Sequence, residues 1–157
     1  MSTPFSLAAL FMLAALAGGQ EAPGQRPIDL TVVTRLTCAF PLSAAMSWEN
    51  GEPRAQVRDA AVLKFAFDQI DVQDGSARFV PAATEPEHVI VQRSGANLYF
   101  LNVQPRGTLS ITTVFAQESR AGKLKAVHSR TDYLPVSVPG FVALPEASQH
   151  YGECALE

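Results

Sequence analysis

From residue 28 to residue 130 the apolar side chains of this chain recur at every second position. In an extended strand successive side chains point to opposite faces, so such a pattern writes a wall with one face for a core and one for solvent. Ile28, Leu30, Val32, Leu36, Cys38 and Phe40 share one parity, and Asp29, Thr31, Arg35 and Thr37 the other, which predicts a long, bent first strand. Pro41 interrupts it, after which Leu42, Ala44, Met46 and Trp48 alternate with Ser43, Ser47 and Glu49. Asn50-Gly51 is a hairpin turn, because both residues tolerate positive φ. The polar return arm, 52–58, contains Pro53 and reads as an edge or a loop. A short turn over 59–62 is the best helix candidate.

Leu63, Phe65 and Phe67 resume the period, and Ile70 and Val72 carry it in the opposite parity, which places a bulge near Asp68-Gln69. Asp74-Gly75, residues 94–97, Pro105-Arg106-Gly107 and residues 117–123 are further turn signals. They separate strands led by Ala77, Phe79 and Val80, by residues 88–93 and 98–103, and by Leu109, Ile111, Thr113 and Phe115. Residues 124–130 form the last clear strand. No part of this stretch sustains a 3.6-residue period. The expected fold is all-β: an antiparallel meander closed as a small, lipocalin-like barrel or folded as a two-sheet sandwich. Strand count alone does not choose between them.

The ends of the chain differ from this body. Residues 5–17 form an uncharged apolar run of 13, short of the 18 to 20 that span a bilayer. With Ala15, Ala17 and Gly19 offering cleavage after 17 or 19, residues 1–17 are expected to be a signal peptide and 18–27 a flexible arm. No later segment is apolar enough to be a membrane helix. The remaining residues, 28–157, suit a single β domain. The whole chain's 12 basic and 15 acidic residues give a net charge of -3, without the basic face that nucleic acid requires. Arg outnumbers Lys nine to three. That bias is common in GC-rich bacterial genomes and favours a bacterial periplasmic or secreted protein. Two cysteines in an exported chain pair as a rule. A Cys38–Cys154 bridge would close nearly the whole domain, worth roughly 4 to 5 kcal/mol in the chain-entropy model.

Residues 132–145 hold Pro135, Pro139 and Pro145 among apolar side chains. Proline denies this stretch a regular ladder, so it is expected to strap across an open end of the sheet. Its Tyr133, Leu134, Val136, Val138, Phe141 and Leu144, with His128 and Arg130 just before it, form the candidate surface for a ligand or partner.

Catalytic signals are weak. His128-Ser129-Arg130 with Asp132 has the residue types of a hydrolase, but His128 and Ser129 point to opposite faces of a strand and form no dyad. His128 shares its face with Leu124 and Ala126 and is expected to be partly buried and hydrogen-bonded. Asp68, Asp71 and Asp74 are spaced by three, whereas a calcium loop spaces its ligands by two. His88, His128 and His150 form no paired metal motif, so neither a metal nor a cofactor is expected. Trp48, Phe65, Phe67, Phe79, Phe100 and Phe115 are read as core aromatics.

At residues 112–116, 125–130 and 149–154 the chain resembles a group of small exported bacterial all-β proteins of no assigned activity. The resemblance runs from about Cys38 to Cys154. It implies an exported β domain and no catalytic residue or cofactor. The expected function is therefore non-enzymatic: binding an envelope component, a protein partner or a small apolar ligand. The competing class is a small hydrolase using His128 with a remote acid.

Overall fold

The computed structural model describes residues 28–105, 107–132 and 145–157. Eight antiparallel strands follow one another around a closed barrel. They are β1 (Leu36–Glu49), β2 (Glu52–Asp71), β3 (Ser76–Pro81), β4 (Glu87–Ser94), β5 (Asn97–Val103), β6 (Leu109–Glu118), β7 (Leu124–Asp132) and β8 (Glu146–Leu156). Each pairs with the next, and β8 closes the ring against β1. The barrel, not the sandwich, is the answer to the choice left open by strand count.

The first departure from the sequence pattern lies before β1. The alternation over 28–33 does not make strand. Leu30–Val32 is a 3-10 turn, capped by Asp29, whose Oδ1 accepts from the Thr31 amide at 3.0 Å and its hydroxyl at 2.6 Å. This local bonding competes with a ladder. Leu30 is buried in the core, while Val32 stays in solvent.

Pro41 does not end β1; it sits in a bulge. Ala39 pairs with Glu153 and Leu42 with Tyr151, so Phe40 and Pro41 together face the single residue Gly152. On the other side Phe40 pairs with Leu63 and Leu42 with Asp59. The 59–62 segment is therefore irregular strand rather than helix. A bulge is where a sheet tolerates proline, which has no N–H to give. Gly152 is required by the same geometry: a Cβ there would come within 2.1 Å of the Ala39 carbonyl oxygen. The bulge also changes parity. Leu36, Cys38 and Phe40 point inward before it, and Ser43 points inward after it. Leu42, Met46 and Trp48 are consequently turned outward, correcting the assignment of Trp48 to the core.

Two turns follow the sequence closely. Asn50 (φ 53°) and Gly51 (φ 82°) link β1 to β2 with positive φ at both central residues. The bulge at Asp68-Gln69 appears as a register shift between Asp68 and Asp71, with Gln69 at φ 49°. The aspartates there have structural work. Asp68 takes two 2.7 Å bonds from Arg78, and Asp71 accepts from the Gln73 and Asp74 amides.

The core fills one end of the barrel. Phe67 and Phe100 stack with centroids 3.9 Å apart, Phe65 meets Phe79 at 4.9 Å, and Phe40 meets Phe65 at 5.2 Å. Leu36, Leu98, Val114 and Leu124 pack with them, and Leu30 belongs to the same cluster. In β6 the inward residues are Thr112 and Val114, so Phe115 faces outward and is only half-buried, against expectation. Cys38 and Cys154 are directly opposite one another in the β1–β8 ladder, Cα atoms 4.0 Å apart, and form a disulfide inside the core.

β8 was not legible as a strand. Its inward residues are Ser148, His150, Gly152 and Cys154, small or polar, and so give no apolar alternation.

Candidate functional site

The inward lining changes character half-way along the barrel. Above the phenylalanines the ladder registers place Ser43 beside His150, His150 beside His128, and His128 beside Thr112. One position further toward the rim, Ala45, Ser148, Arg130, Ser110 and Asn102 follow one another across five strands. At the rim Asp132 pairs with Glu146. One end of the barrel is thus a packed apolar floor and the other a polar-lined mouth.

His128 sits at the boundary. Its ring lies 5.1 Å from that of Phe65 and 5.9 Å from those of Phe40 and His150. Only 7% of it is exposed. Its Nδ1 is 2.8 Å from the Thr112 hydroxyl. Burial, with lesser contributions from His150 and Arg130, pushes its pKa down to about 4. It is therefore neutral near pH 7, with the hydroxyl of Thr112 rather than a carboxylate at Nδ1. Half-buried His150 is pushed down too, by burial and then by Arg130.

At the rim Arg130 holds Asp132 through Nε at 2.7 Å and a second nitrogen at 3.1 Å, and Thr108 donates to the same carboxylate at 2.6 Å. Burial works to raise the Asp132 pKa, but these bonds outweigh it and hold it below the ordinary carboxylate range. On the far wall Asn102 donates to Glu87 at 2.8 Å. A hollow of about 160 Å³ opens at this end, lined by Ala45, Ser47, Gln56, Asp132, Glu146 and Ser148 among others.

Of the candidate surface read from the sequence, His128 lies inside the barrel and Arg130 at its rim. Tyr133, Leu134, Val136, Val138, Phe141 and Leu144 lie outside the described residues, as do the proposed leader 1–17 and arm 18–27. The described chain leaves this rim at Asp132 and returns to it at Glu146. His150 joins His128 across the β7–β8 ladder, a convergence no motif announced, while His88 is exposed elsewhere. Ser43, Thr112 and Ser148 were also missed. As isolated serines and threonines they carry no signal until the register aligns them. Among the described residues no group of three or more His, Cys, Asp or Glu side chains could hold a metal ion. No helix among them is long and apolar enough to cross a membrane.

No family model, curated protein or solved structure matches the chain.

Proposed function

We propose that this protein is an exported, non-enzymatic binding barrel that receives a small ligand in its polar mouth. The ligand sits in the hollow among Ala45, Ser47, Gln56 and Ser148 and reaches down toward half-buried His150. The change of lining carries this reading. An eight-stranded barrel has room either for its own side chains or for one small ligand, and here the stacked rings occupy the lower half. A wholly apolar guest is thereby disfavoured, and an amphipathic one favoured. Ligand sites commonly combine an apolar body with a few converging polar groups. The buried Cys38–Cys154 disulfide supports an oxidising compartment, consistent with a periplasmic or secreted address.

The hydrolase alternative has less support. A general base needs a proton acceptor poised near the working pH, and His128 is displaced well below it. The acid four residues along, Asp132, is committed to Arg130 and Thr108.

Native mass spectrometry of the protein purified from its own host tests the reading. A bound small molecule, lost when His150 is replaced by Phe to fill the mouth, is the expected result. Wild-type protein carrying no adduct, and binding no amphipathic fluorescent probe in a His150-dependent way, would overturn it.

A further inference from the structure

The tip of the β1–β2 hairpin stands clear of the barrel wall. β1 meets β8 only as far as Met46, and β2 meets β3 only from Phe65 onward. Among the described residues, 47–54 is therefore a ribbon held by its own pairs: Ser47 to Arg54, Trp48 to Pro53 and Glu49 to Glu52. A ribbon of two strands is marginal in water. Its last pair sets two glutamates directly opposite one another, which weakens the ladder further. Arg54 reaches Glu52 at 3.3 Å, but on exposed side chains, where an ion pair compensates little.

Asn50 and Gly51 close this ribbon and are both exposed. The described turn and loop hydrogen bonds do not include the Gly51 amide, and none is described for the Asn50 side chain. Nothing lies within 4 Å of the place a Gly51 side chain would take, so the approach to its nitrogen is open. The other two asparagines differ on each count. The Asn97 side chain accepts from the Ala116 amide at 3.2 Å, and Asn102 donates to Glu87 at 2.8 Å. Leu98 and Val103 follow them and crowd the next nitrogen.

We propose that Asn50 is a site of spontaneous modification, at which the Gly51 nitrogen attacks the Asn50 side chain and water converts the product to aspartate or isoaspartate. The Gly51 amide gives its proton to hydroxide, and its nitrogen bonds to Asn50 Cγ. The Cγ–Nδ2 bond breaks, and Nδ2 takes up a proton from water and leaves as ammonia. Water then opens the cyclic imide at either carbonyl. Breaking the bond to Cγ restores the ordinary chain with aspartate at this position. Breaking the bond to the backbone carbonyl carbon leaves the chain running through Cγ, lengthened by a methylene. The net reaction consumes water and releases ammonia. The attack needs the peptide plane after Asn50 to rotate, so the turn must open for a moment. An unsupported ribbon opens without disturbing the barrel. The product adds a carboxylate between Glu49 and Glu52. Ser47 and Gln56 of the same hairpin line the hollow at the mouth, so the change falls on its rim.

Peptide mapping by mass spectrometry tests the inference, on the oxidised full chain held warm at mildly alkaline pH for days to weeks. Asn50 is expected to convert at least about tenfold faster than Asn97 and Asn102, whose hydrogen bonds in the barrel wall must break first. Aspartate and isoaspartate should both form, and the rate should rise with hydroxide concentration. In urea, where the wall is lost, the three rates should draw together. An Asn50 that stays intact in the folded chain would overturn the inference, whether or not it converts in urea. Aspartate without isoaspartate would overturn it equally, because direct hydrolysis of the side-chain amide gives only that product.

Discussion

The two ends of the barrel share strands but not chemistry. At the floor, inward positions are Leu36, Phe67, Leu98, Phe100 and Leu124, every one of them buried in mutual contact. At the mouth the same strands send in Ser43, Asn102, Ser110, Arg130 and Ser148. Burial of apolar area is worth about 25 cal/mol per Å², so stability is concentrated at the floor. The mouth contributes hydrogen bonds of about 1 kcal/mol each at best. The fold therefore rests on one half of the barrel and leaves the other half free to be specialised.

The sharpest way to break this contrast is Phe67→Ala. Removing a ring stacked at 3.9 Å on Phe100 should cost about 3 to 5 kcal/mol in urea denaturation. A much smaller loss would mean that the floor is not where the stability resides. Next in size is the disulfide. Replacing Cys38 and Cys154 together by Ser should cost about 2 to 4 kcal/mol, with hydrogen exchange accelerating first along β8.

His128 tests the boundary between the halves. Its pKa falls from 6.5 to about 4 on folding. The unfolded chain therefore takes up the proton first as the medium is acidified. Stability should decline from about pH 6.5 to about pH 4, by at most about 3 kcal/mol, and this contribution should be flat below. His150 is shifted the same way and adds to the same slope. In His128→Gln most of the slope should vanish, as read from melting temperatures across that range.

Gly152→Ala should cost roughly 1 to 3 kcal/mol, because the backbone of Ala39 and Phe40 must give way. The smallest effect belongs to the mouth. Ser148→Ala should stay within about 0.5 kcal/mol of wild type by chemical denaturation. A large loss there would merge the two halves into one structural unit and weaken the case for a ligand site.

The same contrast explains what could be read from the residues. Where a strand faces the floor, alternation announces it: Phe65 and Phe67 in β2, or Leu124 and Ala126 in β7. The Asn50-Gly51 turn and the bulge beside Gln69 were equally visible, because each depends on local backbone chemistry. β8 escaped because its inward side is serine, histidine, glycine and cysteine, so the pattern that marks a wall is missing. Parity after Pro41 was misread for a related reason. Leu42, Ala44, Met46 and Trp48 look like a core face, and only the two-against-one register at Gly152 shows that they are turned out. The histidine pair depends on the β7–β8 register, which no short-range signal carries.

The bond between the first and last strands makes residues 38 to 154 a single covalent ring. Cutting that ring once, in any connection between strands, releases nothing: both pieces remain tethered and in register. A protein of this design is therefore expected to survive proteolytic nicking in surroundings rich in hydrolases, and to come apart only after a second cut or a reductant.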